Sequence, residues 1–568
     1  MIRSLTHAGR VRRPFVARRF ASLAGGAVCG LTLAIMLPVN AVNAKDLLTP
    51  AEAERLGLVE SWHRQAGTIG GAEAIVDVQL WVQKSVKREL VEVVAKGDAA
   101  ASGVLERIAT NQKDLMGRTI GKAEAERRAK LSVIKLKRRG IEADVRTVTV
   151  DEVRLYVLTA DGGLAAYDAE TGEEMWSLRL GQPELGYGTL GINDQWVTVL
   201  NGSTMHQVSA MEIETVDFAG LKTVVPAGRP SQSKRIDGVP LHGAVNSGKH
   251  ALITTTRKGL ETYLLGEPTI EPGFEMFSGK AISKPVTFPN STRVMWPTDS
   301  GFVYVVETEG RPSSLFRLGL DGTAEGGIAA ASGDRFFFAS TGGRVYAVRA
   351  TETGEVLWNQ SLGEPFYRAP FISGNRLVLS SGYGNLHCLN LENGTPMWDQ
   401  PSTDVDQVFA HVGERFVGRD REHHLMMIDE KTGNLVLRMR NVSIEKVIVN
   451  QDTDRFYLAG KGGMIQCLRP FDSELPVFLR EITPPPALPA KDAAESTPAE
   501  KGADAPAADP FGAPAQPGAD PFGGDAGADP FGGGAGADPF GGDAGADPFG
   551  GDAAADPFGG GGDDPFGN

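Results

Sequence analysis

The residues in this 568-residue chain that could do chemistry are few and poorly grouped. His423-His424, followed by Asp429, is the only adjacent histidine pair. Neighbouring residues on a strand point to opposite faces, so the pair is read as one solvent-facing and one packed histidine rather than a metal site. Of the three cysteines, Cys29 lies in an apolar leader, and Cys388 and Cys467 are set in different repeats. A disulfide needs Cα atoms within about 7 Å, so both are expected to be buried thiols. Two thiols are also too few for a zinc site without suitably spaced histidines. The glycine-rich stretches are not followed by Gly-Lys-Ser/Thr, so they read as turns rather than phosphate loops. No Gly-x-Ser-x-Gly elbow presents a nucleophile. The reading is therefore no catalytic, no cofactor-binding and no metal-ligating residues, and no enzyme.

What the chain has instead is repetition. Arg154–Trp176 runs from an apolar strand through Asp161-Gly162-Gly163 to a second apolar run, ending in Asp168, Thr171, Gly172 and Trp176. The same pattern returns with Thr353, Gly354 and Trp358, and again with Gly394 and Trp398. Equivalent turns are placed at Asp161, Asn201, Arg257, Asp299, Thr341, Tyr383, Glu422 and Lys461. Strand-only repeats of roughly 40 residues predict blades of a β-propeller. Each blade buries its two faces against its neighbours, and the tryptophan is expected on the outer strand, covering a blade–blade seam.

The run Ala166–Trp176 resembles the pyrrolo-quinoline-quinone (PQQ) repeat family of β-propellers, with the likeness extending over roughly 145–482. That family holds both quinoprotein dehydrogenases, which bind PQQ and calcium, and cofactor-free scaffolds of the BamB-like branch. The dehydrogenases resemble one another in a pair of adjacent cysteines, which this chain lacks. No stretch here matches their cofactor or calcium ligands, so the resemblance implies the non-enzymatic branch, no cofactor, and a protein partner in the cell envelope. The alternative is a PQQ-dependent dehydrogenase-like enzyme or a small-ligand receptor using the central funnel.

Residues 1–44 carry six arginines and no acid, then an apolar run and Val42-Asn-Ala44. This reads as a secretory signal cleaved after Ala44, hence export to the periplasm or cell envelope. The alternative is an uncleaved anchor. Residues 45–144 depart from the blade pattern. Leu58–Trp62, Val76–Val82, Leu90–Val94 and Val104–Ile108 read as strands. Ala123–Arg139 reads as a helix with Ala125, Ala129, Val133 and Leu136 on one face. A small α+β unit separate from the propeller is the favoured expectation, and a first blade with a helical insertion is the alternative. Trp62 is a candidate for a blade's outer tryptophan. The basic end of the helix, Lys135–Arg139, is read as offsetting the helix dipole.

Residues 483–568 are expected to be a disordered acidic tail. It repeats Asp-Pro-Phe-Gly around Phe511, Phe522, Phe531, Phe540, Phe549, Phe558 and Phe566, candidate weak anchors for a partner. The net charge of −14 is concentrated here: residues 502–568 hold twelve aspartates and no Lys or Arg. The body gives no reason to expect nucleic-acid binding. The predicted class is thus all-β: an eight-bladed PQQ-like propeller with a small N-terminal α+β unit and a disordered tail.

Overall fold

In the computed structural model, the described residues are 47–66, 74–96, 104–112, 116, 118–216, 222–257, 259–267, 269–460, 462–473 and 475–481. The leader and the seven tail phenylalanines lie outside them. The described residues are all-β apart from two α-helices, α1 (Pro50–Arg55) and α2 (Gly121–Lys137), and one 3-10 turn, Pro183–Leu185. Among the described residues there are eight antiparallel sheets of three to five strands, and one two-stranded hairpin, Ile213–Val216 with Lys222–Val225.

Most sheets are meanders that follow one another along the chain. The third, for example, runs Val245–Ser247, His250–Thr255, Gly259–Leu264 and Gly273–Met276, in that order. The strand centres read as near-continuous apolar runs, such as Phe336-Phe337-Phe338, because both sheet faces are covered by neighbouring sheets. The turns placed by sequence at Asp161, Arg257, Asp299, Thr341, Tyr383 and Glu422 each fall in a hairpin joining two consecutive strands of a sheet. Asn201 ends a strand at the equivalent hairpin, and Lys461 lies outside the described residues.

The N-terminal strands do not keep to themselves. Strand β1 (Leu58–Gln65) pairs antiparallel with Met464–Pro470, completing the sheet that also holds Phe456–Ala459. Strand β2 (Ile75–Ala95) is 21 residues long, and β3 (Val104–Ala109) and β4 (Ala143–Thr159) flank it. The first half of β2 pairs with the second half of β4, beside β5 (Gly163–Asp168) and β6 (Glu174–Arg179). The second half of β2 pairs with the first half of β4 and with β3. A register irregularity between Gln83 and Lys87 divides the two halves. The expected separation at residue 144 is corrected accordingly: β4 runs through that boundary, and 45–144 supplies strands to two sheets shared with later residues. Its helix behaves as its pattern predicts. Ala125 and Ala129 are fully buried against Val91, Val93 and Ile108, with Val133 and Leu136 packed around them. Helix α2 thus covers the extended part of the first sheet. Among the described residues no helix is long and apolar enough to cross a membrane.

Candidate functional site

The signature residues form seams between sheets. Asp168 accepts hydrogen bonds from the backbone N–H groups of Glu170 and Thr171 at 3.0 and 2.9 Å, which shapes the turn leading to Gly172. Asp429 and Asn390 do the same for Thr432-Gly433 and for the turn at Gly394. Gly172 has φ +67, and a Cβ there would lie 2.6 Å from the Trp62 ring. An aromatic of the preceding sheet presses on the turn glycine of the next in the same way elsewhere: Trp176 on Gly228, Phe316 on Gly354, Trp358 on Gly394 and Trp398 on Gly433.

The indole N–H then fixes the angle of approach. Trp358 donates to Leu391 O at 3.1 Å and Trp398 to Glu430 O at 3.0 Å. Trp62 donates to Ala169 O at 2.9 Å. Thr353 precedes Gly354 in the corresponding turn of the fifth sheet. One expectation differs in detail: Trp398 is not on a regular outer strand. Pro396 and Pro401 lack the N–H groups a ladder needs. Only isolated bridges, Leu389 to Pro396 and Leu386 to Ser402, continue the sheet there.

The residues screened for chemistry remain apart. His423 sits in a turn with φ +67, and His424 begins the next strand with Nδ1 3.0 Å from Asp420 Oδ2. Asp420, Glu422 and His424 are close enough together to hold a cation. Asp420 is already engaged, however, by the His424 N–H and ring and by Arg438 at 3.6 Å. Cys388 and Cys467 are free and buried, and burial pushes the Cys388 thiol up to about 12.

Sequence reasoning gave no hint of a cavity of about 680 Å³. It is lined by Gln79 of β2, the loops Leu185–Thr189 and Val239–Gly243, and Lys284. These segments precede or form the first strands of four successive sheets, which is why no local motif marks the place. Lys284 Nζ donates to Leu190 O. Asp77 accepts from the Leu190 N–H at 2.8 Å and from Gln79 at 2.7 Å. Burial lowers the Lys284 pKa, with Asp77 opposing it. The described lining carries one lysine and one histidine, His242, and no carboxylate. Such a surface suits an acceptor-rich or anionic group; it offers no anionic ligand to a calcium ion.

Residues 109–217 and 290–443 match the family model described as outer membrane protein assembly factor BamB. These two stretches therefore resemble the PQQ-like repeats of that family. Among solved structures, BamB from Moraxella catarrhalis is similar at 13% identity, over 56% of this chain and 91% of that one, with a TM-score of 0.41. The computationally designed Ika8 protein is similar at 12% identity, over 55% and 92%, with a TM-score of 0.41. Saccharomyces cerevisiae Sqt1 follows at 9% identity, over 55% and 92%, with a TM-score of 0.40. No curated protein matches the chain.

Proposed function

We propose that this protein is exported to the cell envelope and acts there as a non-enzymatic protein–protein interaction scaffold, in outer-membrane or envelope assembly. The observation that carries the reading is the match of its repeats to the BamB family model. In this reading the eight sheets are the blades of one closed propeller. The pairing of β1 with Met464–Pro470 supports the closure. So does the Trp62–Gly172 seam, which repeats at the last-to-first junction the packing found between successive sheets. A closed ring presents its loops on a rigid frame and leaves only short protected edges, which suits a scaffold. Residues 1–44 would be removed as the signal. Residues 483–568 would act as an acidic tether whose phenylalanines hold a partner weakly and repeatedly.

The alternative is a quinoprotein-like enzyme or a ligand receptor, and the cavity beside Lys284 is where it would operate. Titrating the purified protein with PQQ and calcium, then assaying dye reduction with alcohols and aldoses, separates the two. The scaffold reading predicts neither binding nor turnover; stoichiometric binding with turnover overturns it. The tether is tested by changing all seven tail phenylalanines to serine. Partner recovery should fall, and unchanged recovery removes the tail from the account.

A further inference from the structure

Helix α2 buries one face and leaves the other bare. Ala125 and Ala129 are fully buried against the sheet, and side chains this small hold the helix close to β2 and β4. Its outward side carries Leu131 at 44% and Ile134 at 51% exposure, and Ile141, just beyond the helix, is 40% exposed. Leu131 and Ile134 are three positions apart, so they lie side by side on one helical face. An exposed aliphatic is ordinary by itself; the surroundings set this pair apart.

The 13 residues Arg127–Arg139 hold seven Lys or Arg and no Asp or Glu. Arg127 and Arg128 are held by Glu124, at 2.6 and 2.9 Å. The other five, Lys130, Lys135, Lys137, Arg138 and Arg139, are exposed and form no side-chain ion pair or hydrogen bond with any described residue. The helix dipole accounts for cations in the last turn. It does not account for Lys130, nor for aliphatic side chains left in water among the cations. The whole chain has a net charge of −14, so this segment is a local reversal of sign.

We infer that the outward face of α2 binds the surface of a membrane containing anionic phospholipid. The lysines and arginines meet the phosphate groups, while Leu131 and Ile134 enter the apolar layer beneath them. The mixture of the two side-chain types decides the partner. A nucleic-acid backbone would leave the aliphatics in water, and an acidic protein would need an apolar recess shaped to a convex helix. A fluid lipid surface reshapes around the helix and supplies both phosphate and hydrocarbon. With only two aliphatics entering, attachment is peripheral, reversible and sensitive to salt. The inference does not depend on the scaffold reading.

The test is footprinting of the α2 lysines in the full chain. An amine-acylating reagent is applied with vesicles of phosphatidylglycerol and phosphatidylcholine in equal parts, or of phosphatidylcholine alone. Lys130, Lys135 and Lys137 are read by mass spectrometry against the exposed Lys249. The readout is local, so binding through the basic residues 1–44 does not imitate it. Anionic vesicles should slow acylation of the three lysines and leave Lys249 unchanged. The protection should disappear at about 0.5 M salt, where screening acts within a few ångströms. Arg138→Gln with Arg139→Gln should raise the lipid needed for half-protection about 25-fold, about fivefold for each cation. Leu131→Gln with Ile134→Gln should raise it about tenfold, the effect expected from burying the exposed half of each side chain. All four residues are exposed, so the melting temperature should hold in both variants. Equal reactivity with and without anionic vesicles overturns the inference. Equal protection by neutral vesicles does so too, as does protection that Leu131→Gln with Ile134→Gln leaves unchanged. Duplex DNA or polyglutamate protecting the lysines at a lower charge concentration than the vesicles gives the face to a nucleic acid or to an acidic protein, and overturns it as well.

Discussion

Trp62 is the side chain on which closure of the proposed ring depends most. It is 7% exposed, belongs to the largest buried cluster, donates to Ala169 O, and lies 6.2 Å from the Tyr457 ring. Trp62→Ala removes that packing, and truncation of a buried tryptophan costs about 3–5 kcal/mol. The lost hydrogen bond adds little, because Tyr457 Oη still donates to Ala169 O at 3.3 Å.

The partner glycine gives a sharper test. In the wild type, Gly172→Ala meets both the Trp62 ring and an unfavourable φ. Overpacking costs about 1–3 kcal/mol, and the left-handed backbone about 1–2 kcal/mol. With Trp62 already alanine, only the backbone cost remains. The two substitutions should therefore be coupled by about 1–3 kcal/mol in a double-mutant cycle read by urea unfolding. Amide exchange supplies a second readout: Trp62→Ala should lower protection in β1 and Met464–Pro470 more than in the fifth sheet. Additive costs, or loss of protection spread evenly over the sheets, would refute the seam as the closing element.

Further predictions concern pH, thiols and the tail. Burial holds the Lys284 pKa below that of a free lysine. Between that lowered value and about 10.4 the unfolded chain binds more protons than the folded one, so stability rises with pH across this window. Lys284→Met should abolish that rise, and any stability advantage of the variant at pH 7 should shrink by pH 10; a constant difference between the two proteins contradicts the assignment. Cys388 and Cys467 should react slowly with a disulfide reagent at pH 8 and completely after unfolding, and rapid reaction of either in the folded protein would show that its packing is wrongly drawn. Removing the chain beyond Pro484 should move the melting temperature by no more than about a degree, the shift that losing roughly 1 kcal/mol gives a folded body of this size. A larger fall would mean that the tail packs on the sheets.

Much of the fold could be read locally. The Gly-containing hairpins, the Asp168-to-Trp176 signature and the apolar face of α2 each depend on residues a few positions apart, where turn chemistry and periodicity act. The role of β1 could not be read that way. Its partners begin at Met464, roughly 400 positions away, and nothing in Leu58–Gln65 distinguishes a strand that completes the last sheet from one in a separate unit. Trp62 carried the one usable signal, because it matches the outer tryptophans of the repeats. The length of β2 misled for a different reason: polar and charged residues at Lys84–Arg88 look like an interruption, whereas the strand continues past a register irregularity there. The cavity beside Lys284 was invisible to sequence. Its walls come from loops and strands of several sheets.

The central claim is that the protein works by holding other proteins in the cell envelope. Crosslinking in intact cells, followed by affinity recovery of the full chain and of a chain ending at Pro484, measures this directly. The account predicts reproducible recovery of the same envelope protein or proteins with the full chain, and reduced recovery without the tail. Recovery of no specific protein from either chain would contradict it.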